Sequence, residues 1–350
     1  LKQTHYQIWF NSFAGCRFTG SANVSHSNTC KPANLKPTQL HSMSTVNNFL
    51  TKTKTGLYCF AGDFYLDPVR SVHRALVSHA HGDHAVPNNG LVYCTAATKA
   101  FMDHRHGLKL FTEFSVVKYG IPFLLNDVKV TYYPAGHMLG SAQILMEYAG
   151  ERYLYTGDFK TQEDKSCEPF EYIKCDHLIT ETTFASPEYE HPDPVSVLKE
   201  LVTENVNVVI GAYAIGKAQR IVKVISDFFP EIPVYVHPEI VPFNDIYSAH
   251  GFDLGQWKPY RRAEFKEQEQ SFYIVSPSQF KRFSRNKNVL KVFATGWKRP
   301  YYACDDINSL LRADDNPISS ALQNDLLFFV NNVRYSNIAE DKIKLLEETK

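Results

Sequence analysis

Three histidines and one aspartate stand within six residues, in the pattern H-x-H-x-D-H, directly after an apolar segment. Imidazole nitrogen and carboxylate oxygen are ligands that suit Zn²⁺. Because a strand end fixes the direction of the chain, successive loop residues can present His79 and His81 to one metal ion and Asp83 and His84 to a second. A single histidine after a strand is usually structural, but a group of this density rarely is, and we interpret it as a metal site.

Two further residues have the positions that additional ligands would need. His137 lies between Gly136 and Gly140, in a tight loop after a predicted strand. Asp158 follows the predicted strand 153–155, where an isolated carboxylate is costly unless it is solvated or paired. Each residue taken singly is more often an ordinary loop residue. Their order after the histidine cluster makes both of them candidate ligands.

A glycine-bounded loop, Gly211-x-x-x-x-Gly216-Lys217, resembles a Walker A loop. Ala218 stands where the hydroxyl residue that reaches Mg²⁺ is needed, which argues against an ATPase. The loop still lies between a predicted strand and a predicted helix, so its N–H groups, with Lys217 and Arg220, are candidates for a nucleic-acid phosphate. Ordinary helix capping is the alternative. The segment 297–299, Trp-Lys-Arg, is a candidate for contacts with nucleotides, with a buried tryptophan as the equal alternative.

Composition indicates a globular chain of one large domain or two ordinary ones. It has 350 residues, 44% of them hydrophobic and 21% charged, and a formal net charge of zero. Basic residues are concentrated locally: residues 271–300 contain seven Lys/Arg and no Asp/Glu. This region favours a polyanion or is simply a solvated surface.

Cysteine usage and hydropathy point to a location. The seven cysteines include no C-x-x-C pair, which is typical of reduced thiols in an intracellular protein. No apolar run approaches the roughly 18 to 20 residues of a membrane helix. We therefore expect a cytoplasmic protein without membrane contact, with organelle targeting by the N-terminal segment left open.

The pattern of elements changes along the chain. We expect residues 1–54 to be a disordered leader; a transit peptide, or a natural start at Met43, are the alternatives. The following part reads as short strands, including a hairpin turning at Ala149-Gly150. After residue 186 strands alternate with helices, beginning with Asp193 as an N-cap, and this alternation predicts a small parallel sheet.

The order of these motifs resembles the metallo-β-lactamase superfamily, in which Asp67, before the histidine cluster, matches the aspartate of the first motif. Glu181, after Ile179-Thr180, and His237, after a predicted strand, resemble the acidic and second motifs of the β-CASP branch. Within that branch the chain is most similar to the ligase-associated DNA exonucleases, also described as exonucleases of the messenger-RNA 3′-end processing factor type. The segments that carry this similarity, within roughly 55–305, are 56–68, 211–220 and 294–297.

The resemblance implies an α/β fold, a metallo-β-lactamase αββα sandwich with an inserted β-CASP cap. It places the first part of the sandwich at 55–184, the cap at 185–295 and an incomplete return to the sandwich at 296–350. It implies zinc-dependent hydrolysis of phosphodiester bonds in DNA or RNA, in which two metal ions activate a shared water. The resemblance implies that one zinc is held by His79, His81 and His137, the other by Asp83 and His84, and that Asp158 bridges the two. It implies that Asp67 orients the metal ligands or the hydroxide. It also implies that Glu181 and His237 position the phosphate or protonate the leaving oxygen.

The chain departs from the family pattern near its C-terminal end. No histidine occurs after His250, although the third cap motif should supply one to the second zinc, and 316–330 shows only the flanks of that motif. The second zinc is then weakly held, or the sequence is truncated, rearranged or mispredicted.

Three functions compete. The first is a nuclease, expected to be an exonuclease, in DNA repair or RNA processing. It would act on single strands or ends, with a DNA ligase or helicase as partner by resemblance. The second is a catalytically weakened nucleic-acid-binding homologue. A hydrolase of thioesters or lactams is the third, but such enzymes lack the cap motifs.

Overall fold

The computed structural model describes residues 49–107, 112–181, 193–267, 270–283 and 289–294. The strands are β1 Leu50–Lys52, β2 Leu57–Cys59, β3 Phe64–Leu66, β4 Arg74–Leu76, β5 Leu91–Thr95, β6 Glu113–Val117, β7 Phe123–Leu125, β8 Val128–Pro134, β9 Ala142–Tyr148, β10 Glu151–Tyr155, β11 His177–Ile179, β12 Val208–Gly211, β13 Val234–Val236, β14 Lys258–Pro259, β15 Phe272–Val275 and β16 Leu290–Phe293. The helices are α1 Ala96–His106, α2 Pro194–Thr203, α3 Lys217–Phe228, α4 Val241–Ala249, α5 Arg262–Glu267 and α6 Pro277–Phe280, with a 3-10 turn at Lys281–Phe283.

Two sheets form the first half of the described chain. One has the order β1-β2-β3-β4-β5-β6, antiparallel up to β3 and parallel from there, and the other has the order β11-β10-β9-β8-β7. Alternating apolar residues from both sheets share one core, in which Phe64 and Leu76 of the first meet Tyr132 and Ile144 of the second. The predicted hairpin is confirmed, because β9 pairs antiparallel with β10 and both turn residues, Ala149 and Gly150, have a positive φ.

The expected leader is corrected at its C-terminal end. Phe49 is only 3% exposed and its ring lies 4.1 Å from that of Tyr153, and the following residues pair as β1 with β2. An apolar contact with the distant Tyr153 and a strand partner only a few residues further along the chain therefore order 49–54. The rest of the leader, including Met43, lies outside the described residues, as do 297–299 and 316–330.

The second half is built on a third sheet, with the order β14-β13-β15-β12-β16 and every pair parallel. This confirms the parallel sheet predicted from the alternation of strands and helices. Asp193 is the N-cap of α2, since its carboxylate accepts a hydrogen bond from Ser196 N at 3.0 Å, and Pro194 occupies the first turn.

The two halves share an apolar cluster at the end of the sheets where the histidines lie. Phe101 of α1 and Met138 of the His137 loop belong to the same core as Ile215 and Tyr247 from the second half. None of the helices among the described residues has the length and apolar character that crossing a bilayer requires.

Candidate metal centre

The loop after β4 carries most of the candidate ligands and is fixed at both ends. Ser78 O accepts a hydrogen bond from Ala142 N at 2.8 Å, and His81 O accepts one from Ala85 N at 2.9 Å. His79 is fully buried, whereas the side chain of Asp83 is 63% exposed. The loop after the strand therefore directs His79 into the interior and leaves Asp83 at a solvent-exposed face.

The first donor set comprises His79, His81, His137 and Asp158, whose ligand atoms all lie within 4.8 Å of one another. His81 Nδ1 lies 3.0 Å from His79 Nε2 and 3.2 Å from His137 Nε2. Asp158 Oδ2 lies 3.8 Å from the same two nitrogens. Three imidazole nitrogens and one carboxylate oxygen thus converge on one point, as a tetrahedral zinc site requires.

The protonation of these rings matches that of metal ligands. Burial lowers the pKa of His79 and of His137 well below the ordinary value, and it lowers the pKa of His81 to about 4. His81 Nε2 lies 3.2 Å from the carbonyl oxygen of Ile215. A carbonyl oxygen only accepts, so Nε2 carries the proton and the Nδ1 lone pair faces the cluster.

Glycine makes the close approach of the His137 loop feasible. Gly136 has a φ of 68°, and a Cβ there would lie 2.2 Å from the carbonyl oxygen of Lys160. Ser141 Oγ accepts hydrogen bonds from the backbone N–H groups of His137 and Met138, at 3.1 and 3.2 Å. The loop is thereby closed with His137 facing the other two histidines.

The second donor set lies around His84. Its Nε2 is 3.4 Å from Asp158 Oδ1 and 3.7 Å from Asp83 Oδ2, while its Nδ1 donates to Asp67 Oδ2 at 2.8 Å. Burial opposes protonation of His84, but the carboxylates of Asp158, Asp67 and Asp83 outweigh it and raise its pKa to about 10. The two oxygens of Asp158 therefore face two different donor sets, one on each side.

Asp67 is the buried hub behind these ligands. Its carboxylate accepts hydrogen bonds from Ser78 N at 2.7 Å, Ser78 Oγ at 2.5 Å, His84 Nδ1 at 2.8 Å and Tyr155 OH at 2.9 Å. Its φ of 38° is in the left-handed region, which aspartate tolerates better than most residues. These contacts hold His84 with its Nε2 facing Asp158.

Of the other predicted site residues, Glu181 lies close enough to raise the pKa of Asp158, an effect that adds to the larger one of burial. His237 follows β13, and its Nδ1 lies 3.3 Å from Glu239 N. Among the described residues the ring of His237 contacts Glu239 and Tyr273 rather than the histidine cluster.

Both predicted phosphate-binding residues are buried, with Lys217 7% and Arg220 9% exposed, but their neighbours differ. Lys217 begins α3, with its ammonium 5.2 Å from the ring centroid of Tyr213, and it lies near enough to His137 to disfavour protonation of that ring. Arg220 is buried, with Nε 3.6 Å from the carboxylate of Asp164. A phosphate contact by Arg220 would have to disrupt this internal pair, which the sequence did not indicate.

The structure adds two contacts that no motif contained. Arg105, in the last turn of α1, donates from Nη2 to the carbonyl oxygen of Ala80 at 2.5 Å and so holds the metal loop. The Ile215 carbonyl contacts His81 across 134 positions of sequence. A basic residue at a helix end is a weak signal for the first contact, and a backbone atom leaves none for the second.

Comparison with known proteins gives several related sequences, although no protein-family model matches the chain. It is 31% identical over 264 residues to "Probable DNA ligase" of Opitutus terrae, covering 70% of this chain and 24% of that protein. An "RNase J-like protein" of Methanocaldococcus jannaschii is 28% identical, with 52% of this chain and 51% of that protein covered. "Cleavage and polyadenylation specificity factor subunit 3" of Dictyostelium discoideum is also 28% identical, with 61% and 32% covered.

The chain thus spans between 24% and 51% of the length of these three relatives. Among solved structures, a protein of unknown function from Enterococcus faecalis V583 matches with a TM-score of 0.49 and 16% identity, over 79% of this chain and 72% of that one. Together with the motifs of the chain, these sequence relatives give its class: the chain belongs to the β-CASP branch of the metallo-β-lactamase superfamily.

Proposed function

We propose that the protein is a zinc-dependent nuclease that hydrolyses phosphodiester bonds of DNA or RNA, acting as an exonuclease on single strands or ends. The observation that carries the proposal is the placement of Asp158 between two donor sets, with one oxygen 3.8 Å from His79 Nε2 and the other 3.4 Å from His84 Nε2. A carboxylate in this position is suited to bridge a metal pair, which is the arrangement of many phosphodiester hydrolases.

The donor chemistry fits zinc. We assign one ion to His79, His81, His137 and Asp158, and the other to Asp83, His84 and Asp158. When bound, such a pair supplies an activated water and neutralises charge on the phosphate. Asp67 orients His84 through the bond to Nδ1, and the Ile215 carbonyl orients His81.

The residues around the metal centre are assigned to the substrate. Lys217 places a cation beside His137, where it can receive a phosphate, and Glu181 lies near Asp158 as a second acidic group. We keep His237 as the candidate that positions the phosphate or protonates the leaving oxygen, since it stands at the carboxyl end of a parallel strand, where sites of such sheets form.

The fold supports the same assignment. We propose that the two sheets with a shared core are the αββα sandwich and that the parallel sheet with α2 to α6 is the β-CASP cap, inserted after β11. The cleft between them then contains the metal centre, because Ile215 and Lys217 of the second half border the histidines of the first.

The substrate class follows from the relatives only in outline. Their names include a DNA ligase, an RNase J-like protein and a cleavage and polyadenylation factor. We propose RNA processing or DNA repair as the setting, with a ligase or helicase as the partner to be sought.

The test is cleavage by Asp83→Ala. The Asp83 side chain is 63% exposed, so the variant should fold normally while losing a ligand. We expect at least a 100-fold loss of cleavage of 5′-labelled single-stranded DNA and RNA, by analogy with the loss of other essential active-site groups. The matched control is Asp103→Ala on α1, another exposed aspartate, which pairs with Lys99 at the surface and should cleave normally.

Equal cleavage by Asp83→Ala and the wild type would refute the two-metal mechanism. Zinc content measured on the same preparations separates the alternative function. About one zinc per chain, strand binding and no cleavage by the wild type would identify a nucleic-acid-binding homologue instead.

A further inference from the structure

The second half of the protein reaches the metal centre through a backbone atom. The Ile215 carbonyl oxygen, in the loop 212–216 before α3, lies 3.2 Å from His81 Nε2. His81 has only two ring nitrogens, and the other, Nδ1, faces His79 and His137. The position of this one carbonyl therefore decides which nitrogen of His81 carries the proton.

The loop that carries this carbonyl is held by a buried glutamine. Gln219, fully buried in the first turn of α3, accepts a hydrogen bond from Gly216 N at 2.7 Å through Oε1. Its Nε2 donates to the Ala214 carbonyl oxygen at 3.0 Å and to Asn244 Oδ1 of α4 at 2.9 Å. The amide thus forms hydrogen bonds to the loop on both sides of Ile215 and connects the loop to α4.

Steric contact limits the loop from the opposite side. Gly216 has a φ of 82°, and a Cβ there would lie 3.2 Å from Met138 Cβ and 3.6 Å from His81 Nε2. The loop is therefore packed against the His137 loop as closely as glycine allows. A small displacement would move the Ile215 carbonyl out of hydrogen-bonding distance of His81.

We infer that Gln219 is a positioning residue of the metal centre. Its amide holds loop 212–216 so that the Ile215 carbonyl selects the His81 tautomer whose Nδ1 lone pair faces the cluster. Gln219 touches neither ligand nor substrate and acts through the backbone of Ile215. The expected effect of Gln219 on zinc binding rests on the proposed function.

The first experiment uses Gln219→Met, which keeps the volume of the side chain and removes its hydrogen bonds. Two-dimensional NMR of ¹⁵N-histidine-labelled, zinc-free protein reports the tautomer of each ring. In the wild type we expect His81 protonated at Nε2, and in the variant a mixture of both tautomers. Zinc affinity, measured by calorimetric titration, should fall by about 10- to 100-fold, the usual effect of removing an outer-shell partner.

The matched control is Gln270→Met. Gln270, in the second half, donates a hydrogen bond to the Val202 carbonyl oxygen at 2.7 Å. This bond does not involve loop 212–216 or His81, so its loss should change neither the tautomer nor zinc affinity. If Gln219→Met does not fold, Gly216→Ala perturbs the same loop sterically and should give the same two changes. Gly150→Ala, also at positive φ but with open space around a Cβ, controls for the backbone conformation.

A folded Gln219→Met protein with the wild-type His81 tautomer and wild-type zinc affinity would overturn the inference. The tautomer is read without metal or nucleic acid. Failure of the wild type to cleave or to bind zinc would therefore count against the proposed function while the NMR result still decides the role of Gln219.

Discussion

Asp67→Asn tests the buried hub of the site while changing little else. Asparagine has almost the same shape as aspartate and, like it, tolerates the left-handed backbone found at this position, where φ is 38°. The substitution removes the negative charge and replaces one acceptor oxygen with a donor group. Any effect therefore reports on the hydrogen bonds of the carboxylate rather than on packing or backbone strain.

The magnitude follows from the contacts. Asp67 Oδ1 accepts from Ser78 N, and Oδ2 accepts from Ser78 Oγ, His84 Nδ1 and Tyr155 OH. Whichever way the new amide turns, its NH₂ group meets at least one buried donor, which costs about 1 to 3 kcal/mol. The bond to the His84 imidazolium also loses its ionic component, and breaking one side of a buried ion pair costs about 3 to 5 kcal/mol. The second cost already includes the donor left unpaired, so the two are not added, and we expect a total loss of about 3 to 5 kcal/mol in the free energy of unfolding.

The assay is urea unfolding at pH 7 of zinc-free protein, followed by circular dichroism, with the m-value checked for two-state behaviour. Asp63→Asn is the control, because Asp63 also has a positive φ, of 54°, but pairs with His73 at the surface. Its substitution should cost less than about 1 kcal/mol. A loss for Asp67→Asn as small as that of the control would refute the central role of the Asp67 carboxylate in these hydrogen bonds and the orientation of His84 derived from it.

Two further predictions concern charge. In zinc-free protein the pKa of His84, raised to about 10, exceeds its unfolded value of roughly 6.5; its stabilising contribution is therefore complete below about pH 6.5 and is lost as the pH rises through about 10. Urea unfolding between pH 6 and 10 should show a smaller alkaline decline for His84→Gln than for the wild type, and an equal decline would contradict the assignment. Lys217→Ala should weaken binding of single-stranded oligonucleotides and reduce the slope of log affinity against log salt by about 0.7, measured by fluorescence anisotropy. Lys223→Ala, on the same helix and paired with Asp227, should leave the slope unchanged, and an unchanged slope for Lys217→Ala would remove that residue from the site.

Much of the local structure was predictable because its signals are local. The N-cap at Asp193, the turn at Ala149-Gly150 and the parallel sheet of the second half each follow from residues within one or two elements. The density of ligand-type residues at His79–His84 likewise predicted a candidate metal loop without knowledge of the fold, and the structure brings His79 and His81 together with His137 and Asp158. Such features can be predicted from the sequence because capping, turn geometry and strand periodicity depend on neighbouring residues.

Contacts between distant segments were not predictable, and they changed the interpretation of particular residues. Phe49 packs against Tyr153 of β10 in the core shared by the first two sheets, and Arg220, expected to face a phosphate, is buried against Asp164. Burial of a basic side chain depends on which carboxylate the fold brings beside it, which no local pattern encodes.

The sequence alone therefore determined the ligand types and the order of the elements that carry them. Only the tertiary structure decided which nitrogen of His81 faces the cluster. That choice is made by the backbone carbonyl of Ile215, 134 positions away, and a carbonyl oxygen is the same chemical group in every residue.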